Sequence, residues 1–227
     1  MKGMPHAARL FLAILWAGSS VSPVWGAALA PHETIEWTWA EFPKSIDPAL
    51  PDVLLEGDSI TRNYYPEVAA ELAGKANIFL FATSASVGDP RLSRQLADYS
   101  ELAHRHFSVI HFSNGLHGWD IAEDRYEHGF PDYLKAIERI APQARLIWTT
   151  TTPIRIDKDG GSNLRIAARN AVAERLISHI HAQEDDQHRL MTDHADLYQD
   201  DVHFGPAGSK IQAHQVARSI ADALHLG

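Results

Sequence analysis

Short, almost wholly apolar runs alternate along this chain with longer stretches in which apolar and polar residues recur at helical spacing. Apolar runs of this kind are typical of parallel strands that helices cover on both faces. The runs predict strands at residues 53–55, 78–82, 109–112, 146–150 and 189–191. The alternation therefore indicates an α/β fold in which a parallel sheet of about five strands lies between helical layers.

The stretches between these runs predict the helices of the outer layers. Pro66 can open the first turn of one helix, which ends at Gly74. Further helices are predicted at 92–104, at 132–140, at 163–181 with Asn163 as N-cap, and from Pro206 onward. The polar segments 157–163 and 183–188 predict a loop and a solvated turn. Because ligands of such sheets bind outside the carboxyl ends of the strands, the residues that follow each strand are the candidates for chemistry.

The first 30 residues stand outside this pattern. Lys2 and Arg9 precede an apolar run at 10–17, which is shorter than the roughly 20 residues that a membrane span needs. A positive segment, a short apolar run and small residues in succession are typical of a secretory signal. We therefore expect a cleaved signal peptide at 1–26, a single mature domain at 27–227, and a secreted or periplasmic protein. An uncleaved membrane anchor is the alternative.

Composition narrows the classes of function. The chain carries 20 Lys and Arg against 29 Asp and Glu, a formal net charge of -9. Such a charge repels phosphate backbones and anionic lipid surfaces, so binding to nucleic acid or to an anionic membrane surface is disfavoured. The short apolar run disfavours stable membrane insertion. The absence of Cys excludes disulfides, thiolate nucleophiles and Cys-ligated metals. The composition is compatible with a binding pocket or with an enzyme whose chemistry uses oxygen and imidazole groups.

Two short motifs at opposite ends of the chain supply such groups. Gly57, Asp58 and Ser59 follow the first predicted strand, where a serine can expose its hydroxyl at the edge of the sheet. Asp200 lies three residues before His203 and can hold Nδ1 of that imidazole, leaving Nε2 to accept a proton from a serine. Taken singly, each motif is more typical of an ordinary turn or helix cap. Together they supply a nucleophile, a base and a group that orients the base.

Further polar groups follow the other strands. Asn114 places a side-chain amide after the third strand, and Gly88 places a backbone N–H after the second, where both could face a bound carbonyl oxygen. His117, Trp119 and Arg155 lie in loops that could reach the same edge and contact substrate. The 14 His residues show no spacing typical of metal ligands, so no metal site is predicted.

Ser59, Gly88, Asn114 and His203, in this order and each in a separate motif, resemble the SGNH (GDSL-type) hydrolase superfamily. The resemblance extends from Leu50 to the last predicted helix. It implies a three-layer αβα sandwich with a flavodoxin-like sheet and neither a metal nor an organic cofactor. It also implies that Ser59 is the nucleophile and His203 the general base and acid, oriented by Asp200. The Ser59 and Gly88 N–H groups and the Asn114 amide would then hold the oxyanion.

Two blocks depart from the superfamily pattern. The third block is commonly Gly-x-Asn-Asp, whereas residues 112–115 read Phe-Ser-Asn-Gly, so the packing beside Asn114 must differ. The second block, at 84–90, lacks the usual Asn- and Gly-rich form. Gly88 is therefore assigned as an oxyanion donor only because it follows the second predicted strand.

The expected reaction is hydrolysis of an acyl ester through a covalent acyl-enzyme. Export and polar, aromatic loops favour a small-molecule or glycan ester as the partner, with an acetyl group on a carbohydrate as the preferred substrate. A lysophospholipase or other lipid esterase is one alternative, and a non-catalytic carbohydrate-binding domain on the same fold is another. Trp37 and Trp39 fit either packing of an extended segment onto the body or stacking on a sugar.

Overall fold

A computed structural model describes residues 33–157 and 160–226, so the predicted signal peptide at 1–26 lies outside the described residues. Within them the elements follow in this order: β1 Thr38–Glu41, β2 Asp52–Gly57, α1 Ser59–Glu71, β3 Asn77–Thr83, α2 Pro90–Ala103, β4 Val109–Phe112, α3 Glu123–Ile140, β5 Arg145–Thr149, α4 Asn163–Ile177, β6 Ala182–Asp185, α5 Gln187–Thr192, a 3₁₀ turn Ala195–Leu197, and α6 Pro206–Leu224. None of the helices in this part of the chain is long and apolar enough to cross a bilayer.

The strands form one sheet in the order β1-β3-β2-β4-β5-β6. Strands β2 to β6 are parallel, and their order matches the doubly wound, flavodoxin-like arrangement. Strand β1 pairs antiparallel with β3 at the edge, with Thr38 opposite Thr83. The predicted α/β fold with five parallel strands is therefore confirmed, and β1 adds a sixth strand.

The fifth parallel strand is not the one expected. The segment 189–191 lies in helix α5, where Met191 is fully buried, and the strand is β6 at Ala182–Asp185. This edge strand has the sequence Ala-Gln-Glu-Asp and is mostly solvent-exposed, so it carries no apolar run. The prediction of a solvated turn at 183–188 was wrong, because this segment contains most of β6 and the start of α5.

Helix boundaries also shift from the prediction. Helix α1 begins at Ser59, well before Pro66, because the Asp58 side chain caps it by accepting from Ile60 N at 2.8 Å. Helix α3 begins at Glu123, well before the predicted start at 132. The N-cap of α4 is Ser162, because the Asn163 side chain bonds the backbone of Ile154 instead.

Two apolar layers sandwich the sheet. In β2, Val53 and Leu55 pack into a cluster with residues of α1 and α6, whereas Leu54 packs into a second cluster with residues of α2 and α3. All three side chains are fully buried, as expected for a central strand that is covered on both faces. The chain is thus a three-layer αβα sandwich, with the carboxyl ends of its parallel strands at one edge.

Candidate active site

The turn from β2 into α1 brings a serine to this edge. Ser59 is the first residue of α1 and is 7% exposed. Gly57 is required at the end of the strand, because a Cβ there would lie 2.1 Å from Thr61 Oγ1. The backbone N–H groups of the first turn have no partners within the helix, so they and the helix dipole favour negative charge beside Ser59.

A histidine from the far end of the chain meets this serine. His203 Nε2 lies 2.7 Å from Ser59 Oγ, and His203 Nδ1 lies 2.8 Å from Asp200 Oδ2. Asp200 Oδ1 also accepts from the backbone N–H groups of Val202 at 2.9 Å and His203 at 2.7 Å. The structure therefore brings together the three side chains that the two motifs predict.

The charge state of Asp200 suits this arrangement. Partial burial by itself raises the pKa of the carboxyl, but the backbone N–H groups and the His203 ring lower the pKa below its ordinary value. An ionised carboxylate accepts from Nδ1–H and leaves Nε2 of a neutral ring as the acceptor for the Ser59 proton. Asp201 contributes its backbone instead, since its carbonyl accepts from Arg155 N at 2.8 Å.

Asn114, in the β4–α3 loop, binds the β3–α2 loop through its side chain. Its Oδ1 accepts from Val87 N at 2.8 Å, and its Nδ2 donates to Ala85 O at 2.9 Å. The Asn114 carbonyl accepts from Tyr126 OH at 2.7 Å. The side chain is 5% exposed and its amide has a second N–H beyond the one that Ala85 uses. Asn114 thus fixes the β3–α2 loop and keeps one N–H for a ligand.

Gly88 follows β3 and packs against helix α3. It has φ +91°, and a Cβ on Gly129 of α3 would lie 2.6 Å from Gly88 N. The Gly88 carbonyl accepts from the Arg125 side chain at 3.3 Å. This packing fixes the Gly88 backbone beside α3, and its N–H stays a predicted oxyanion donor.

The loop between β4 and α3 carries two of the expected substrate contacts. His117 Nδ1 lies 2.8 Å from Glu33 Oε1, and the edge of the His117 ring meets Trp37 with centroids 5.7 Å apart. Trp119 lies under the guanidinium of Arg169, which is 5.2 Å from the ring centroid.

Arg169 was not identified from the sequence. Its side chain is 1% exposed and donates to four backbone carbonyls of this loop, those of Gly115, His117, Gly118 and Ile121. A single arginine on a helix has no sequence signature that separates this role from surface exposure. Arg155, the third expected contact, has an exposed side chain, and its backbone joins the β5–α4 loop to the Asp200 segment.

Among residues 33–157 and 160–226, no three His, Asp or Glu side chains are grouped closely enough to hold a metal ion.

Comparison with known proteins shows which known structures have a similar fold. No protein-family model matches the sequence, and no curated protein is found as a relative. A carbohydrate esterase family 3 structure from Talaromyces cellulolyticus is similar with a TM-score of 0.61 and 15% identity, covering 78% of this chain and 100% of that one. An acetyl esterase mutant with an acetate ion has a TM-score of 0.60 and 16% identity, covering 78% and 100%. A GDSL-like lipase from Bacteroides thetaiotaomicron has a TM-score of 0.56 and 15% identity, covering 76% and 88%. The chain therefore has the fold of the SGNH (GDSL-type) hydrolases.

Proposed function

We propose that this chain is a serine esterase that hydrolyses a carboxylic ester through an acyl-enzyme. The observation that carries the proposal is the continuous hydrogen-bonded chain from Ser59 Oγ through His203 to Asp200, with contacts of 2.7 and 2.8 Å. A hydroxyl, an imidazole and a carboxylate in this order are what nucleophilic acyl transfer requires. A non-catalytic binding domain would not need this alignment.

Acylation begins when Ser59 Oγ attacks the ester carbonyl carbon while its proton passes to His203 Nε2. The Oγ–C bond forms and the carbonyl oxygen becomes an oxyanion. His203 then gives the proton to the leaving alkoxide as its bond to carbon breaks. Asp200 stabilises the transient imidazolium and holds the ring in the required tautomer.

Deacylation repeats these steps with water. Water attacks the acyl carbon as its proton passes to His203 Nε2, and the proton returns to Ser59 Oγ when the carboxylic acid leaves. In both halves we assign the oxyanion to the Ser59 N–H, the Gly88 N–H and the remaining Asn114 Nδ2–H. Donors fixed in this way stabilise charge in the transition state, and loss of one costs roughly 10²–10³ in rate.

An acetyl group on a carbohydrate is the proposed substrate. Similar structures include a carbohydrate esterase and an acetyl esterase. Aromatic surface also lies one turn beyond Ser59, where the Arg62 guanidinium is 5.4 Å from the Trp37 ring and 5.2 Å from the Trp39 ring. Trp39 is 47% exposed, and an exposed indole can stack on a sugar ring. Export through a signal peptide at 1–26 remains part of the proposal.

A chain-length series tests the reaction and its acyl preference together. Wild-type protein and Ser59→Ala are assayed with p-nitrophenyl acetate and p-nitrophenyl octanoate, with Ser45→Ala as the control because Ser45 is exposed and lies outside the site. We expect the acetyl ester to react faster and Ser59→Ala to lose roughly 10⁴–10⁶ of the rate. Equal rates for Ser59→Ala and wild type would overturn the esterase proposal. A preference for octanoate would favour a lipid esterase instead.

A further inference from the structure

One cation near the proposed catalytic serine is held by aromatic rings. The guanidinium of Arg62 lies 5.4 Å from the centroid of the Trp37 ring and 5.2 Å from that of the Trp39 ring. Four other arginines in the described part of the chain are at least partly buried, and all of them bond to carboxylates or backbone carbonyls: Arg91, Arg105, Arg165 and Arg169. Arg62 differs from them, since its guanidinium N–H groups have no acceptor among the described residues.

The two carboxylates that flank the indoles in the chain bond to other groups. Glu36 accepts from the Arg91 guanidinium at 2.8 Å, and Glu41 accepts from Trp39 Nε1 at 3.3 Å. An aromatic ring stacks on the face of a guanidinium, whereas the five N–H donors lie in its plane. The edge of the Arg62 guanidinium is therefore available to an anionic ligand.

The position of Arg62 in α1 places this cation close to Ser59. Both residues belong to the first turn of the helix, where Arg62 N donates to Asp58 O at 3.0 Å. Side chains three residues apart share a helix face, with Cβ atoms about 5–6 Å apart, and they lean toward the helix N-terminus. The Arg62 side chain therefore extends toward the edge of the sheet where Ser59 lies.

Trp37 connects this cation to the loop on the other side of the site. Trp37 directly precedes β1, whose first residue lies opposite Thr83 at the carboxyl end of β3. Its ring meets the edge of the His117 ring, with centroids 5.7 Å apart. Trp37 thus contacts both the first turn of α1 and the β4–α3 loop, which also carries Asn114. Arg62 therefore lies at the rim of the proposed active site.

We infer that the proposed esterase acts on an acidic carbohydrate, and that Arg62 binds a carboxylate of the sugar that carries the acetyl ester. The inference rests on the proposed function and narrows its substrate class. A carboxylate can accept two parallel N–H bonds from a guanidinium, which orients the sugar as well as attracting it. A uronic acid has its carboxylate and its acetylated hydroxyl on one pyranose ring, which suits two protein groups that are one helical turn apart.

The charge of the whole molecule makes a local cation important for such a substrate. The formal net charge of -9 repels an acidic carbohydrate at long range. Salt screens charges beyond a Debye length of roughly 8 Å, so groups at the rim dominate the attraction once the substrate is close. The N-terminus of α1 adds a partial positive charge on the side of Arg62. A neutral sugar would leave the guanidinium without a counter-charge.

The test uses two substrates that differ only in a carboxylate or a hydroxymethyl group at C5 of the ring. They are methyl glucuronoside and methyl glucoside, each prepared as a mixture of monoacetates on the ring hydroxyls. Release of acetate is measured for wild type, Arg62→Gln and Arg62→Lys, with Arg94→Gln at an exposed position of α2 as the control.

We expect wild type and Arg94→Gln to prefer the glucuronoside by at least about tenfold in kcat/KM, mainly through a lower KM, because a hydrogen-bonded ion pair forms. Arg62→Gln should lose this preference, and Arg62→Lys should keep part of it, since the charge remains without the planar fork. Added salt should reduce the wild-type preference and leave the ratio in Arg62→Gln unchanged, a difference that a merely structural role of Arg62 would not produce.

Two results would overturn the inference. One is an equal kcat/KM of wild type for the two substrates, and the other is a preference for the glucuronoside that persists in Arg62→Gln. In either case, hydrolysis of p-nitrophenyl acetate that depends on Ser59 would leave the esterase proposal standing. Failure of wild type to hydrolyse any of these esters would instead contradict the proposed function itself.

Discussion

Asp200 is an unusually open member of a catalytic arrangement. Half of its side-chain surface is exposed, compared with 26% for His203. Solvent screens the charge of such a group, so the electrostatic part of its contribution is reduced. Its position is nevertheless well defined, because two backbone N–H groups and the imidazole share its carboxylate oxygens. Orientation of the ring is therefore its main role.

Replacing this carboxylate tests that role. We expect Asp200→Asn to lower kcat by roughly 10–10³, less than the 10⁴ typical of a buried triad aspartate, because water can partly support the His203 tautomer. Asp201→Asn is the matched control, since it neutralises the adjacent carboxylate while Asp200 keeps its bonds to His203. Steady-state kinetics with p-nitrophenyl acetate measures both. An equal loss in the two variants would contradict the assignment of Asp200.

Residue types and local spacing predict part of this site. Ser59 follows a buried strand, and Asp200 precedes His203 by the spacing that brings a carboxylate to Nδ1, so the two motifs together point to these residues. The positive φ of Gly88 and its close packing on α3 are features that spacing does not reveal. His117 was identified only as a residue near the site, because its link to Glu33 joins residues far apart in the chain.

At the scale of elements, helix α4 determines the shape of the β4–α3 loop. Arg169 and Arg165 both extend from α4 and donate to backbone carbonyls of this loop, including that of Ile121. Burial lowers the pKa of Arg169, and Glu123 lies 3.8 Å away. A buried guanidinium with four carbonyl acceptors adds to the turn in which Ile121 N donates to Gly118 O at 3.0 Å, and so orders the loop.

Removing this guanidinium should loosen the loop. We expect Arg169→Met to lower kcat/KM by at least about tenfold and to lower Tm by several degrees, because four carbonyls of the loop lose the bond from Arg169. Arg169→Lys should not restore the wild-type value, since an ammonium cannot span four acceptors with a planar fork. Arg94→Met, at an exposed position of α2, is the control. Wild-type kinetics in Arg169→Met would show that α4 does not position the loop.

At the scale of the molecule, the parallel core was predictable and the edges of the sheet were not. The central strands are buried on both faces and therefore read as apolar runs. Strands β1 and β6 lie at the two edges, where their residues are mostly exposed, and so their sequences do not show the pattern. The order of the strands depends on long-range pairing, which a local pattern cannot specify.

A buried carboxyl couples the stability of this core to pH. Glu56 of β2 is fully buried, accepts from Tyr133 OH and leaves Oε1 unpaired. Burial raises its pKa from 4.5 to about 8. Between these values the folded state keeps a proton that the unfolded chain has lost, so stability falls as pH rises. The contribution is about 1.4 kcal/mol per pH unit within that window.

Glu56→Gln should remove this dependence while keeping an acceptor for Tyr133. We expect its free energy of unfolding to fall less than that of wild type between pH 5 and 8, with the largest difference near pH 8. Urea unfolding at both pH values measures it, and Glu138→Gln, at an exposed position, should behave like wild type. Parallel pH curves for wild type and Glu56→Gln would contradict the role of Glu56.

The most direct test of the proposed mechanism is to determine which residue forms a covalent bond with a serine-directed inhibitor. Protein incubated with a fluorophosphonate, which reacts with an activated serine hydroxyl, is digested and analysed by peptide mass spectrometry alongside residual esterase activity. The account predicts one adduct per chain, on Ser59, with activity falling in proportion and labelling greatly slowed in His203→Ala. Full activity after complete labelling of Ser59, or loss of activity with the adduct on another residue, would contradict it.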